Sequence, residues 1–170
     1  MQQAVSKVAG VLTTILQWLL IAAVALLVLD VVWGVLTRYV GGEQASWTEE
    51  LARFLLIWVS LLGGAAAFEQ KSHLGVDYFV TKFDDSIRDN LKIFSYIIVL
   101  FFAVSIFVIG GSQVVYNALV LDQTTPALGW KMGHVYLAIP IAGVFMVLFT
   151  IANLLELRST ESNSESREAS

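Results

Sequence analysis

The sequence predicts an all-α integral membrane protein with four transmembrane helices and an interfacial amphipathic helix between the second and third. Of the 170 residues, 57% are hydrophobic and only 14% are charged, which is too apolar for a soluble domain of this length. The apolar residues form four long uncharged runs, and all but the second are long enough for a membrane helix. Several Trp and Tyr residues lie near the ends of these runs, where amphipathic rings prefer the membrane interface.

The first span is predicted at about 8–39. A cleaved signal peptide is the alternative, since Lys7 precedes the apolar run and residues 23–25 resemble a cleavage site. The apolar run continues past that point to Leu29, so we interpret it as a retained span. The glycines at 41 and 42 are expected to end the helix, because glycine tolerates the conformations that close one.

The second span is predicted at 46–68 and is short. It opens with a capping-box pattern in which Ser46 and Glu49 would satisfy free amides reciprocally, and Glu50 also suits the positive end of the helix dipole. The uncharged part, 54–68, covers about 22 Å, against about 30 Å of hydrocarbon. Arg53 or Glu69 must therefore snorkel, thin the bilayer or find a partner in the membrane.

Small residues recur at four-residue spacing late in this span. Ser60 and Gly64 form one such pair, and Gly63 and Ala67 form another. In a membrane, small residues let helix backbones approach closely, and packing rather than hydrophobicity drives association. The pattern predicts that this helix packs against another helix.

The segment after the second span is too polar to cross a membrane. Apolar residues recur there at every fourth position, namely Phe79, Phe83, Ile87 and Leu91. This stripe predicts an interfacial segment at 74–83. The third span is predicted at 85–121 and contains the longest uncharged run, so it should tilt or protrude.

The fourth span is predicted at 133–156, with Pro140 as the expected position of a kink. Residues 1–157 would then form the membrane domain. The remaining segment, 158–170, is acidic and rich in Ser, and we predict a disordered cytoplasmic tail.

The basic residues predict that both termini lie in the cytoplasm. Seven would be on the inner side: Lys7, Lys71, Lys82, Arg88, Lys92, Arg158 and Arg167. Three would be on the outer side: Arg38, Arg53 and Lys131. This excess is what the positive-inside rule requires.

Asp30 lies within the first span, where a carboxylate is costly and often functional. The short connection makes the second span an antiparallel neighbour, which brings Asp30 near the level of Arg53. Three interpretations stay open. Asp30 pairs with Arg53, pairs with a partner subunit, or couples to a proton or another ion.

Catalysis, cofactors, metals and nucleic acid are not expected. There are no cysteines, so disulfides and thiolate sites are excluded, and no basic patch suits nucleic acid. Haem between helices would need two facing histidines, but His73 and His134 belong to opposite predicted sides of the membrane. Glu49 and Glu50 lack a nucleophile or cleft nearby, so general acid–base catalysis is a poor explanation for them.

A polar stripe marks the end of the third span, formed by Gln113, Tyr116, Asn117 and Asp122. We considered two interpretations. The stripe is an ordinary interfacial helix end, or it is a docking surface that faces the periplasm.

With these residues together, the chain resembles the small transmembrane subunit of tripartite ATP-independent periplasmic (TRAP) transporters, the DctQ-like type. The resemblance covers about three quarters of the chain and rests on several short segments in order. They are Thr37-Arg38-Tyr39, Ser46-Trp47-Thr48-Glu49-Glu50-Leu51-Ala52-Arg53, the small-residue run 63–68, His73-Leu74-Gly75-Val76-Asp77, Thr125-Pro126-Ala127-Leu128, and Tyr136 with Pro140.

The resemblance implies a scaffold subunit in the bacterial inner membrane. In this family a periplasmic protein captures an organic acid, of the sialic acid or C4-dicarboxylate type, and a large membrane subunit carries it with sodium. The small subunit would bind the large one, help dock the binding protein and contact membrane lipids. Its interface residues would be Ser46, Trp47, Glu49, Glu50, Arg53, Ser60, Gly63, Gly64 and Ala67. Its docking loops would contain Arg38, Glu43, Asp122 and Lys131.

Two alternatives from other classes stay open. One is an autonomous small proton-coupled exporter that uses Asp30. The other is a haem- or quinone-binding membrane anchor of a redox complex. The spans show no internal repeat and no pair of broken helices, which are the usual marks of a self-sufficient transporter site.

Overall fold

The computed structural model describes residues 2–43, 45–69 and 85–168, and it confirms an all-α membrane architecture. The helices are α1 (Gln2–Gly41), α2 (Ser46–Glu69), α3 (Asp85–Phe102), a π-helical segment (Ala103–Gly110), α4 (Gly111–Val120), α5 (Met132–Tyr136) and α6 (Ala138–Glu168). In the described ranges, four helical stretches are long and apolar enough to cross a membrane: Ala9–Gly41, Ser46–Phe68, Ile93–Val120 and Met132–Leu155. The predicted segment 74–83 lies outside the described residues.

A single core joins the spans. Its buried members are Leu16 from α1, Leu62 and Ala65 from α2, Ala103 from the π-helical segment, and Ala142, Met146 and Phe149 from α6. Helix α6 is central, since it contacts α1, α2 and the π-helical segment, whereas α2 does not contact α3 or the π-helical segment within the described residues. One side of α2 is therefore left uncovered by the other described residues.

Two glycines allow α6 and the third span to approach closely. A Cβ atom built on Gly143 would lie 2.6 Å from the Cβ of Phe107 and 3.1 Å from its carbonyl carbon. A Cβ on Gly111 would lie 2.7 Å from Ile139 Cγ2 and 3.1 Å from the Pro140 nitrogen. Because these distances are too short for real Cβ contacts, the seam between α6 and the third span depends on glycine at both positions.

The fourth span is interrupted where Pro140 predicts it. The break falls at Leu137, between α5 and α6. Proline has no N–H to donate to the carbonyl of Tyr136, four residues earlier, and its ring crowds that carbonyl. The flanking bonds persist, with Leu137 N–H donating to Gly133 O and Ile141 N–H to Leu137 O, each at 3.2 Å.

The loops end the helices as the glycines predict. Helix α1 ends at Gly41, and Gly42 has a positive φ of 79°. We call the end of the bundle with residues 42–45 and 121–131 the loop end. Asp122 begins the second loop at a φ of 48°, a left-handed conformation that Asp adopts more readily than most residues.

Helix α6 continues to Glu168, into the segment 158–170 for which a disordered cytoplasmic tail stays a prediction. No glycine or proline occurs after Gly143, so nothing in the sequence interrupts the backbone hydrogen bonds of α6. Loss of apolar residues after Leu155 marks where the membrane span ends, and not where the helix ends. The apolar stretch ends at Leu155, whereas the helix itself ends at Glu168.

Candidate interaction surfaces

Helix α2 presents one face that no other described part of the chain covers. Its members recur at spacings of four and three residues, so they share one side of the helix. We call this set the free face of α2: Glu49, Arg53, Leu56, Ser60, Gly63 and Ala67. Leu56 is 57% exposed, and a Cβ built on Gly63 would meet no atom within 4 Å. The opposite side of α2 carries the core residues Phe54, Leu62 and Ala65.

The two adjacent glycines of α2 have different surroundings. A Cβ on Gly64 would lie 3.7 Å from the Cε atom of Met146, so Gly64 faces α6 of its own chain. Gly63 faces outward with Ser60 and Ala67. The sequence predicted a packing role for all four small residues. The structure divides them between an internal contact at Gly64 and the free face.

Among the described residues, the predicted Ser46–Glu49 capping box does not form at the N-terminus of α2. Thr48 is 2% exposed, and its hydroxyl donates to the carbonyl of Ala45 at 2.7 Å. Ser46 is exposed and makes no side-chain hydrogen bond within the described residues. A capping box needs the serine just before the first helical residue, but Ser46 itself already begins the helix. Trp47 is exposed beside it.

Glu50 holds the loop between the third and fourth spans. Its Oε2 atom accepts hydrogen bonds from the backbone N–H of Ala127 at 3.0 Å and of Leu128 at 2.7 Å. Two donors on one carboxylate oxygen make a charge-assisted contact across 77 residues of sequence. Glu50 therefore has an internal structural role, which the prediction of a partner contact did not include.

The same loop is ordered by its own hydrogen bonds. Thr125 N–H donates to Trp130 O at 2.8 Å, and Trp130 N–H donates back to the Thr125 hydroxyl at 3.0 Å. Asp122 and Lys131 form an exposed salt bridge at 3.0 Å that closes the base of the loop. Pro126, Ala127 and Trp130 are left exposed at its tip. Arg38 in the last turn of α1 and Glu43 in the loop after it are both exposed.

Replacing Glu50 by alanine is expected to loosen this loop by about 1 kcal/mol, because two backbone amides lose their acceptor at a partly exposed site. Hydrogen exchange at the Ala127 and Leu128 amides should become faster. Glu49→Ala is the matched control, since the exposed Glu49 side chain makes no hydrogen bond within the described residues. Equal exchange in the two variants would remove the structural role of Glu50.

Asp30 is buried without a partner. The residue is 6% exposed, and neither carboxyl oxygen has a hydrogen-bond partner within the described residues. Arg53 is exposed on the free face of α2, so the Asp30–Arg53 pair, one of the three open interpretations, does not form among the described residues. Level along a helix can be estimated from sequence, whereas the side that each residue faces cannot.

Asp30→Asn is expected to leave the free energy of unfolding of the detergent-purified chain unchanged or to raise it, because it removes a charge that is buried without a partner among the described residues. Breaking a buried ion pair costs roughly 3–5 kcal/mol, so the two cases are well separated. Arg53→Gln is the matched variant, and thermal unfolding of both single variants and the double variant gives their coupling. A coupling energy above about 1 kcal/mol would restore the Asp30–Arg53 pair.

The polar stripe at the end of the third span does not form one surface. Gln113, Tyr116 and Asn117 are exposed on α4, whereas Asp122 turns to Lys131. His134 is exposed in α5, and His73 lies outside the described residues. Among the described residues, no group of three or more His, Cys, Asp or Glu side chains is placed to hold a metal ion.

Comparison with known proteins places these surfaces in a family context. Residues 27–160 match the family model described as "Tripartite ATP-independent periplasmic transporters, DctQ component". The sialic acid TRAP transporter small permease protein SiaQ of Vibrio cholerae is 33% identical over 137 residues, covering 79% of this chain and 78% of that protein. A Haemophilus influenzae protein, named provisionally as a TRAP transporter small permease, is 31% identical over 140 residues, covering 82% of this chain and 85% of its own.

A third relative joins two subunits in one chain. The isethionate TRAP transporter permease protein DctMQ of Oleidesulfovibrio alaskensis is 29% identical over 144 residues. The match covers 79% of this chain but only 22% of that protein. A region similar to this chain is therefore joined there to a much larger polypeptide.

Proposed function

Because this chain belongs to the DctQ family of TRAP transporter small permease subunits, we propose that it is a scaffold that binds the large permease subunit through the free face of α2. Family membership makes it a multi-pass protein of the bacterial inner membrane and a transporter subunit, not an enzyme. The contact surface, the docking of a binding protein and the coupling of transport to sodium are proposed in addition to family membership.

The free face of α2 is the observation that carries this proposal. Its middle and inner parts combine small residues, Ser60, Gly63 and Ala67, with open space beside them. Small residues on such a surface let the backbone of a partner helix come into direct contact with the backbone of α2. Arg53 stands at the end of the uncharged segment 54–68, where a partner carboxylate or carbonyl would stabilise it. The short second span therefore has a charged residue, Arg53, at one end and small residues toward the other, and a protein partner can satisfy both.

The relative with both regions in one polypeptide supports the same partner. Fusion keeps two regions at equal numbers and close together, which benefits parts that work as one unit. In this chain the corresponding partner is a separate large permease subunit. We propose a one-to-one complex of the two in the inner membrane.

The loop end of the bundle is proposed as the docking site for a periplasmic binding protein. Glu50 and the Thr125–Trp130 hydrogen bonds hold the 121–131 loop in one conformation, and its tip is exposed. A loop that is already ordered loses less conformational entropy when a soluble partner binds. Arg38 at the end of α1 and Glu43 in the loop after it add charges of both signs. This assignment places the loop end in the periplasm and both termini in the cytoplasm.

The transported compound is proposed to be an organic acid carried with sodium. The named relatives include a sialic acid transporter subunit and an isethionate permease, so this family serves anions of different chemistry. Selection among them would belong to the binding protein and the large subunit.

Proteoliposome transport tests this proposal. Vesicles with the large subunit, this chain and the binding protein should accumulate sialic acid when a sodium gradient is imposed. Vesicles with this chain alone should accumulate none, which excludes an autonomous exporter that uses Asp30. Full uptake by the large subunit and binding protein without this chain would contradict the scaffold role.

A further inference from the structure

Helix α4 exposes a second polar face that the free face of α2 does not explain. Gln113, Tyr116 and Asn117 lie three and four residues apart, so they share one side of the helix. All three are exposed, Tyr116 to 67%, and none of their side chains makes a hydrogen bond within the described residues. We call these three residues the polar face of α4.

The depth of this face can be read from the helix contacts. Gly111 packs directly against Pro140 of α6. Gln113 lies two residues nearer the loop end, which is about 3 Å along the helix axis. Asp122, at the start of the loop, is nine residues further, or about 13 Å. Gln113 therefore lies well below the loop end.

The same register extends to α2. Met146 packs against Gly64, and Pro140 lies six residues before Met146. Because α2 and α6 both run away from the loop end, six residues before Gly64 brings Pro140 level with Trp58. Trp58 lies within the uncharged segment 54–68 of α2. Gln113, two residues nearer the loop end, is level with about Leu56, which is still within that uncharged segment.

An exposed amide at that depth needs a hydrogen-bonding partner. Hydrocarbon offers neither donors nor acceptors, so an amide facing lipid there is unfavourable. The backbone N–H and C=O groups of α4 hydrogen-bond within the helix, so only the polar side chains need a partner from outside it. A soluble protein on the periplasmic surface cannot reach a residue about 13 Å below the loop end. The partner must therefore lie inside the membrane.

We propose that the polar face of α4 is a second contact surface for the large permease subunit, covered by a membrane helix that presents hydrogen-bonding side chains. This inference rests on the proposed function. The relative that joins both regions has most of its length outside the matched region, so its larger region is always present beside the smaller one. A large partner of this kind can contact two faces of a small subunit.

Site-specific photo-crosslinking tests the inference in native membranes. A benzophenone amino acid is placed at Gln113 of the tagged full chain, with Phe101 as the matched apolar control, since Phe101 is also exposed on the third span. Illumination should give an adduct with the large subunit from position 113 that is at least about fivefold more abundant than from position 101. An adduct with a second copy of this chain, or no protein adduct, would overturn it.

Substitution gives an independent readout. Gln113→Met keeps the length of the side chain and removes its hydrogen bonds, so co-purification of the large subunit should fall about threefold, in line with one interhelical hydrogen bond. Val114→Met, on the neighbouring position, is the control and should leave it unchanged. Co-purification that is identical for both would count against the surface. If the unsubstituted chain retains no large subunit at all, the proposed function fails and not merely this surface.

Discussion

Gly63→Leu is expected to reduce the amount of large permease subunit that co-purifies with this chain by at least about tenfold, a change of about 1.4 kcal/mol or more in binding free energy. A Cβ at this position meets nothing within 4 Å in the chain itself, so the leucine should leave the fold intact. On the free face of α2, however, it occupies the space that a partner backbone needs. The measurement is quantitative affinity purification after mild detergent extraction.

Gly10→Leu is the matched control, because Gly10 lies in a membrane helix and its Cβ also meets nothing within 4 Å. Both variants carry the same added side chain and the same change in helix propensity. Only the Gly63 variant should lose the large subunit. Equal retention by the two variants would show that the free face of α2 is not the contact surface.

Gly143→Ala is expected to destabilise the purified chain by roughly 1–3 kcal/mol, although it adds only one methyl group. That methyl would lie 2.6 Å from the Cβ of Phe107 and 3.1 Å from its carbonyl carbon. Because backbone is involved, the strain cannot be relieved by a side-chain rotation alone. Helix α6 and the π-helical segment must move apart. Thermal unfolding in detergent, or the yield of monodisperse protein, measures the loss.

Gly64→Ala is the control for this variant. Its added methyl would lie 3.7 Å from the flexible end of Met146, which is an ordinary van der Waals distance. The same chemical change in the same bundle should therefore be nearly neutral, or slightly stabilising through helix propensity. A Gly143→Ala chain that is as stable as Gly64→Ala would contradict the close seam between α6 and the third span.

The sequence was informative wherever a local chemical rule decided the outcome. Uncharged runs located four spans, glycine at 42 located a left-handed turn, and Pro140 located the interruption of the fourth span. The π-helical segment Ala103–Gly110 was not predicted. It lies in a run that is apolar on every side, so the hydrophobic period cannot distinguish one helical winding from another.

Non-local contacts were beyond the sequence. In the sequence, Glu50 is an acidic residue at the start of a helix. Nothing near it in the sequence shows that its carboxylate accepts hydrogen bonds from backbone amides 77 and 78 residues away. Gly63 and Gly64 differ by about 100° around the helix, yet the pattern of small residues includes both. Which of them faces the chain's own α6 depends on how the bundle packs. The pattern of small residues could not separate Gly63 from Gly64, and the interface role of Gly63 stays a prediction.

The composition of the complex purified from native membranes tests the central claim most directly. The tagged chain should be isolated under mild conditions, and its partners quantified by mass spectrometry and native mass measurement. The scaffold account predicts one copy of a large multi-span permease for each copy of this chain. A chain that purifies as a stable homodimer without such a partner would contradict the account, and Asp30 would then be the residue to test for proton coupling.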